Sequence, residues 1–299
     1  MFENIVGNEK IKTELINSVK NNKIAHSYLF VGIEGIGKKI IATEFAKMIL
    51  CLDNNKYCNK CKSCIEFDSN NNPDFTIIEP DGNSIKIDQI RNLQRKIQEK
   101  PIISEYKVYI IDNADKMTTE AQNCLLKTLE EPPEYAIMIL IGSNENLFLT
   151  TIKSRCMIIH FNNIDDDIIK RYLKEQYSID NINNNMLDIF QGSIGKAILL
   201  KDKKTQYDQI DSIIDSLESK DIIDILDMSE IIYKSKEEIY EILEYINILL
   251  FKKAKDNYKY TNCINIVENT KKRLNQNANY DMCIDNMLFN IWEEINWKI

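Results

Sequence analysis

Four cysteines stand close together in the first third of the chain. They are Cys51, Cys58, Cys61 and Cys64, and the last three are separated by two residues each. Four thiolates at this spacing suit a tetrahedral Zn²⁺ ion, and a site with no free coordination position is structural rather than catalytic. We therefore predict a structural zinc module at residues 51–64. The alternatives are a redox pair, an iron–sulfur site and chance clustering.

A glycine-rich stretch is the second candidate for chemistry. Gly32, Gly35, Gly37 and Lys38 fit the pattern G-x-x-x-x-G-K, directly after a short apolar run and before a segment with helical spacing. In that context the glycines let successive backbone N–H groups face a phosphate, and the lysine reaches the outer phosphates of a nucleotide. The pattern predicts a phosphate-binding loop; the alternative is a glycine turn without a ligand.

Two positions depart from the pattern of a loop that hydrolyses ATP. The residue after Lys38 is Lys39, where a Ser or Thr hydroxyl ordinarily binds Mg²⁺. Asp112 ends a later apolar strand, as a metal-supporting acid does, but the next residue is Asn113, which cannot accept a proton from water. Asp115 is the alternative base. We predict that this loop does not hydrolyse ATP, and whether it binds ATP or ADP stays open.

The composition argues against the simplest class of nucleic-acid-binding protein. Of 299 residues, 38 are Lys or Arg and 46 are Asp or Glu, which gives a net charge of −8. A phosphate backbone repels such a chain, although lysines within 252–255 keep direct DNA binding as an alternative. The charged start and the lack of any run of about 18 apolar residues predict a cytoplasmic protein without a membrane segment.

Five short apolar runs in the first 160 residues have the composition of strands that are buried on both faces. They are Ser27 to Val31, Asp74 to Glu79, Lys107 to Asp112, Ala136 to Gly142 and Met157 to Phe161. Segments with helical spacing lie between them, at 38–50, 88–99 and 119–129. This alternation predicts an α/β domain with a mostly parallel sheet and helices on both sides.

The strand signal ends after Phe161, and the rest of the chain has helical spacing. Two apolar stripes recur at three and four residues: Ile239, Ile242, Leu243, Ile246 and Leu249, then Ile284, Met287, Leu288, Ile291, Trp292 and Ile295. Such stripes are typical of helices that pack on one another. We predict three domains: an α/β domain at 1–162, a small helical domain at 163–204 and a helical domain at 205–299.

Several segments together resemble one family. Residues 111–133 read IDNADKMTTEAQNCLLKTLEEPP, Asn144 lies just past the fourth strand, and residues 154–156 read SRC. They resemble the AAA+ clamp-loader family, in which these are the Walker B strand with its following helix, sensor 1 and the arginine-finger motif. GSIGKA at 192–197 stands where sensor 2 lies, without its arginine. The resemblance implies an AAA+ P-loop domain with an inserted zinc module, a helical lid and an all-α C-terminal collar.

The altered phosphate loop sets this chain apart from the motor subunits of that family, gamma and tau, whose loop ends in Lys-Thr or Lys-Ser. An altered loop beside an intact SRC motif resembles the delta-prime branch of the bacterial DNA polymerase III clamp loader. This resemblance implies a stator without ATPase activity of its own, with gamma/tau and delta subunits as partners. It implies that the assembled complex loads a sliding clamp onto primed DNA, and that Arg155 reaches a nucleotide on a neighbouring subunit.

Simpler interpretations stay open at this point. Arg155 also fits a surface arginine paired with an acid, which is worth about 0–1 kcal/mol. For the whole chain, one alternative is an active AAA+ motor subunit, which would need another base and a metal held without the usual hydroxyl. Another is a zinc-stapled P-loop scaffold outside replication.

Overall fold

The computed structural model describes residues 2–296 except residues 3, 4, 54–56, 181, 183 and 229. The chain divides into two compact units. The first comprises Met1–Tyr172 with Gly192–Gly195, and the second comprises Leu173–Gln191 with Lys196–Ile299. The predicted phosphate loop, Asp112, Asp115, Asn144, Arg155 and the four clustered cysteines all lie in the first unit.

The first unit is built on a five-stranded sheet. Its strands are β1 (Ser27–Val31), β2 (Phe75–Ile78), β3 (Lys107–Ile111), β4 (Ala136–Gly142) and β5 (Met157–His160). They lie in the order β2-β3-β4-β1-β5, and the pairings found among the described residues of these strands are all parallel. The three inner strands are buried along their whole length, whereas β2 and β5 are partly exposed at the edges. The predicted α/β class with a parallel sheet is confirmed.

Helices connect the parallel strands, because each return to the same edge of the sheet needs a crossover. After α1 (Glu9–Lys20), which precedes β1, they are α2 (Lys38–Leu50), α3 (Lys62–Asp68), α4 (Ile87–Ile97), α5 (Thr119–Glu130) and α6 (Thr150–Lys153). The bounds of α2 are as predicted. The start of α5 is fixed by the hydroxyl of Thr118, which accepts a hydrogen bond from the backbone N–H of Ala121 at 3.2 Å.

The core of the first unit determines where its polar residues meet. Side chains of the inner strands pack against α4 and α5; Ile111, Leu125 and Leu140, for example, are 0% exposed. Because the inner strands are parallel and pair in register, their carboxyl ends reach the same edge of the sheet. The loop after β1, Asp112 after β3 and Ser143 after β4 therefore lie close together.

The described residues of the second unit are helical apart from short connections. The division between the two units falls within two helices, α7 (Asp166–Tyr177) and α9 (Ile194–Leu200). The other helices of the second unit are α8 (Asn184–Phe190), α10 (Lys204–Ser216), α11 (Ile222–Met228), α12 (Glu230–Lys234), α13 (Ile239–Asp256), α14 (Thr261–Asn275) and α15 (Tyr280–Asn296). Both predicted apolar stripes are buried except at Trp292, whose indole N–H donates to the Lys220 carbonyl at 2.9 Å. The division into three domains after residues 162 and 204 stays a prediction.

None of the helices in the described part of the chain combines the length and the apolar character that crossing a membrane requires.

Candidate functional site

The predicted phosphate loop lies between β1 and α2. Gly35 and Gly37 have φ of +75° and +95°, which residues with a Cβ rarely adopt, and α2 begins at Lys38. The loop therefore curls in front of the first turn of α2, where unpaired backbone N–H groups favour an anion. Its backbone has the shape of a phosphate-binding loop.

A second backbone segment, residues 192–195, lies against this loop. The N–H of Gly195 donates to the carbonyl of Gly35 at 2.8 Å, and the Ser193 hydroxyl donates to the carbonyl of Glu34 at 2.8 Å. A Cβ on Gly195 would lie 2.7 Å from the Gly35 Cα, so this approach requires glycine. The segment that the family resemblance assigns to the sensor 2 region thus fixes one side of the loop.

Lys38 is turned toward its own loop. Its Nζ donates to the carbonyl oxygens of Gly32 at 2.5 Å and Ile33 at 2.7 Å, and the residue is 7% exposed. Desolvation lowers the pKa of Lys38, while the negative charge of Asp115 opposes that shift. The ammonium is satisfied within the loop, and a phosphate would have to draw it away from two carbonyls.

Lys39 forms two ion pairs at the carboxyl edge of the sheet. Its Nζ lies 2.9 Å from Oδ2 of Asp112, which follows β3, and it also binds Glu79, which follows β2. Desolvation by itself lowers the pKa of Lys39, but the hydrogen bonds to Glu79 and Asp112 outweigh it, so the pKa is raised. The other Asp112 oxygen accepts the backbone N–H of Asn113 at 3.0 Å. Both oxygens of Asp112 are therefore engaged by the chain itself.

These residues do not fit a divalent metal ion. Mg²⁺ requires near-octahedral oxygen ligands at about 2.0–2.1 Å, and Lys39 presents an ammonium where a hydroxyl would be needed. Near a protein surface, two single positive charges about 4 Å apart repel by about 4 kcal/mol. The ammonium of Lys39 thus occupies the position beside Asp112 that a metal ion would need.

Asp115, the alternative base, is engaged by the loop that follows β4. Its Oδ2 accepts the backbone N–H of Ser143 at 2.8 Å, the Ser143 hydroxyl at 2.6 Å and the backbone N–H of Asn144 at 3.3 Å. The side-chain oxygen of Asn144 in turn accepts the N–H of Asn146 at 2.9 Å. Asp115 thus holds the start of the loop after β4, which contains the predicted sensor 1 residue Asn144.

Arg155 lies in the turn between α6 and β5. Its Nη2 pairs with Oε1 of Glu130 at 2.6 Å, while Nη1 donates to the Thr151 carbonyl at 2.8 Å and the Ser154 hydroxyl at 3.2 Å. The Arg155 side chain is 32% exposed and that of Glu130 is 48% exposed. The arginine is therefore held at the surface by an acid of the LLKTLEEPP segment.

Two acids in these contacts are absent from the candidates that the sequence suggested. Glu79 meets Lys39 because β2 lies beside β3 in the sheet, so that the residues after both strands come together. Glu130 is the last residue of α5 and meets Arg155. A signal existed for each, since Glu79 ends a predicted strand as Asp112 does, and Glu130 belongs to a distinctive segment.

The four clustered cysteines come together between the end of α2 and the start of α3. Their Sγ atoms all lie within 4.8 Å of one another, and those of Cys51 and Cys58 are 3.6 Å apart. Bonds of about 2.3 Å to a tetrahedral zinc ion place sulfur atoms about 3.8 Å apart, so the cluster has a suitable size. All eight cysteines of the chain are described, and all are free thiols. The cluster could bind a metal such as Zn²⁺; residues 54–56 of the predicted module lie outside the described residues.

Backbone N–H groups point at two of these sulfurs. The N–H of Cys61 donates to Cys58 Sγ at 3.3 Å, and that of Cys64 donates to Cys61 Sγ at 3.5 Å. Backbone hydrogen bonds, that of Lys60 first, lower the pKa of Cys58 to about 7, whereas burial raises the pKa of Cys51 and of Cys64. Metals bind thiolates, and the Cys58 thiol ionises more readily near neutral pH than those of Cys51 and Cys64.

Comparisons with known proteins show the family to which the chain belongs. The family described as "DNA polymerase III, delta subunit" matches residues 7–165, more than half of the chain. The delta' subunit of DNA polymerase III from Bacillus subtilis is 39% identical over 163 residues, which is 54% of this chain and 50% of that protein. The tau/gamma subunit from Haemophilus influenzae is 33% identical over 241 residues, 75% of this chain and 35% of that protein. The matched region thus spans at most half the length of these two relatives.

Solved structures support the fold. A DNA polymerase III gamma-subunit-related protein from Thermotoga maritima has a TM-score of 0.54 at 17% identity, covering 94% of this chain and 100% of that chain. A five-stranded parallel sheet with a phosphate loop after β1 places the chain among P-loop proteins with the AAA+ fold. It belongs to the clamp-loader family of DNA polymerase III, which includes tau, gamma and delta' subunits. The predicted family is confirmed, and because tau/gamma and delta' relatives are similarly close, the subunit type is a matter for proposal.

Proposed function

We propose that this chain is a delta-prime-type stator of the DNA polymerase III clamp loader, without ATPase activity of its own. It assembles with gamma/tau and delta subunits, helps to load the sliding clamp onto primed DNA, and presents Arg155 to ATP bound by a neighbouring subunit. Residues 1–162 form its AAA+ domain, 163–204 its lid and 205–299 the collar that joins it to the other subunits. The names of its relatives, delta' and tau/gamma subunits, support this assembly.

The proposal rests mainly on the ion pair between the ammonium of Lys39 and the carboxylate of Asp112. Hydrolysis by a P-loop protein uses a metal ion that bridges the outer phosphates and neutralises the charge that develops on them. In this chain a lysine pairs with the metal-supporting acid, and Asn113 stands where a base is expected. The loop thus lacks two independent parts of the hydrolytic machinery.

Arg155 is suited to act on a nucleotide of another subunit. Its planar guanidinium can place two donors on a γ-phosphate, a geometry that lysine cannot reproduce. Its pair with Glu130 is partly exposed, so its net free energy is small and the arginine can exchange one anion for another. A γ-phosphate carries more charge than one carboxylate and is the stronger partner.

The cysteine cluster has a structural role in this proposal. Cys51, Cys58, Cys61 and Cys64 hold one Zn²⁺ ion with all four coordination positions taken by protein. The ion ties the end of α2 to the start of α3, and the described residues between them, 51–53 and 57–61, form neither helix nor strand.

Arg155→Ala is expected to lower the DNA- and clamp-stimulated ATPase of the reconstituted loader about three- to tenfold, because one ATP site loses its charge-stabilising arginine. The measurement is steady-state turnover of complexes that contain gamma/tau, delta and this chain. Arg155→Lys should restore little, since it keeps the charge but loses the bidentate geometry.

Arg91→Ala is the matched control for this experiment. Arg91 is also an arginine in a surface ion pair of the first unit, 3.2 Å from Asp88. Assembly of every variant is checked by mass photometry. Wild-type turnover in an intact Arg155→Ala complex would contradict the proposed contribution to a neighbour's site.

The active motor subunit is the competing function, and the isolated chain distinguishes it. We expect no Mg²⁺-dependent ATP turnover above that of the Lys38→Ala variant. Turnover that the Lys38→Ala change abolishes would favour the motor.

Glu130→Gln is expected to raise the turnover of the reconstituted loader by up to about fivefold, because it frees Arg155 from an ion pair worth up to about 1 kcal/mol. Glu131→Gln, which neutralises the adjacent exposed glutamate, is the matched control. A fall in turnover comparable to that of Arg155→Ala would instead show that Glu130 orients the arginine for catalysis.

A further inference from the structure

We propose that the ammonium of Lys39 is a built-in cation that takes the place of the divalent metal at the phosphate loop of this chain. Asp112 then binds no divalent ion, and the loop is built to meet a polyphosphate that carries no metal. This inference deepens the non-hydrolysing role proposed above and rests on it.

The position of the ammonium is set by three elements of the first unit. Lys39 stands in the first turn of α2, Asp112 follows β3, and Glu79 follows β2. The Asp112 side chain is only 13% exposed, whereas that of Glu79 is 58% exposed. The inner acid is thus largely shielded from solvent, and Lys39 is the cation that neutralises it.

The number of donors on the two lysines suits a phosphate ligand. An ammonium has three N–H donors, and Lys39 directs hydrogen bonds to two carboxylates, which leaves one donor for a phosphate oxygen. Lys38 supplies a second positive charge. Its ammonium donates hydrogen bonds to two carbonyls of the phosphate loop. Two lysines therefore provide fixed positive charge where an ordinary loop combines one lysine with a metal ion.

The alternative to a built-in cation is an ordinary surface ion pair between Lys39 and Asp112. Because 43% of the Lys39 side chain is exposed, the lysine could swing into solvent and leave Asp112 to a metal. The contact would then be an ordinary surface ion pair. The two cases differ in whether a divalent ion binds at Asp112 in the wild-type chain.

The experiment is a titration of the zinc-loaded full chain with Mn²⁺ in the presence of ADP, followed by electron paramagnetic resonance. We expect no ADP-dependent Mn²⁺ site in the wild type. Lys39→Thr restores the hydroxyl and should gain such a site, with Mn²⁺ affinity at least about tenfold higher. Adding Asp112→Asn to Lys39→Thr should abolish the gain.

Lys10→Thr, at an exposed lysine of α1, controls for the change in net charge. A wild-type chain that binds Mn²⁺ with ADP as tightly as Lys39→Thr would overturn the inference, and so would a Lys39→Thr variant that gains nothing. The titration uses the isolated chain and measures no turnover. A titration that overturns the Lys39 inference would therefore not contradict the proposed role of Arg155 in the assembled loader. A negative result with Arg155→Ala would likewise not contradict the Lys39 inference.

Discussion

Cys64→Ser is expected to abolish zinc binding at the cysteine cluster and to unfold the segment around it. Cys64 is 1% exposed and lies in the first turn of α3, so a serine hydroxyl there would be buried without being a thiolate ligand. Structural zinc contributes about 10–16 kcal/mol in small zinc domains at neutral pH. Because the rest of the first unit has its own core, we expect the free energy of local unfolding to fall by about 5 kcal/mol or more.

The measurement is zinc content by mass spectrometry, together with hydrogen exchange of residues 57–68. Cys124→Ser is the matched control, because Cys124 lies outside the cluster and donates to Oε1 of Gln94 at 3.3 Å, a contact that serine can keep. The control should retain one zinc ion per chain and unchanged exchange. One zinc ion per chain in Cys64→Ser would remove Cys64 from the ligand set.

The fold could be predicted from the sequence largely because its inner strands are continuous apolar runs. A run such as AIMILIG in β4 is buried on both faces and shows no alternation, so its short length and its β-branched isoleucines, rather than its periodicity, distinguish it from a buried helix. The bounds of β1, β4 and α2 agree with prediction. The bounds of α4 do not, since the spacing predicts a helix at 88–99, whereas α4 begins at Ile87 and ends at Ile97, before Gln98 and Glu99.

The contacts of the site were predictable only in part. A lysine at position 39, in place of a Ser or Thr, already indicated that a divalent metal ion is disfavoured at the phosphate loop. Glu79 ends a predicted strand, but its pairing with Lys39 could not be predicted, because that requires the sheet order, which long-range packing of β2 beside β3 decides. Arg155 is a similar case. The SRC motif identifies the residue in the sequence, but its contact with Glu130 could not be predicted, because it depends on how α5 and the turn before β5 are placed.

The structural role of Asp74 could not be predicted from the sequence. The pattern predicts it as the first residue of a strand, yet β2 begins at Phe75. Asp74 is 1% exposed, and its carboxylate accepts three backbone N–H groups, from Ile102 at 2.7 Å, Ile103 at 2.7 Å and Ser104 at 2.8 Å. No charged partner in the sequence points to this arrangement, because its donors are backbone groups.

The same network reaches the cysteine segment. The hydroxyl of Ser104 donates to the carbonyl of Leu50, the residue before Cys51, at 2.8 Å. It also lies 3.0 Å from the hydroxyl of Ser63, which stands between Cys61 and Cys64. Asp74 therefore anchors the segment against which both ends of the cysteine cluster are held.

Asp74→Ala is expected to lower the free energy of unfolding by about 3–5 kcal/mol, because it leaves three backbone donors without their charged acceptor. With two compact units, the chain need not unfold in one step, so hydrogen exchange of the amides of residues 102–104 is the more direct measurement. Their protection should fall about 100-fold or more, which corresponds to about 3 kcal/mol. Zinc should also dissociate faster from the cysteine cluster.

Asp88→Ala is the matched control for this change. Asp88 is exposed and pairs with Arg91 at the surface of α4, so its loss should cost less than about 1 kcal/mol. Asp74→Asn keeps the shape but offers one acceptor oxygen instead of two, and we expect an effect between those of the other two variants. Unchanged protection of residues 102–104 in Asp74→Ala would mean that apolar packing, rather than the buried carboxylate, holds this segment in place.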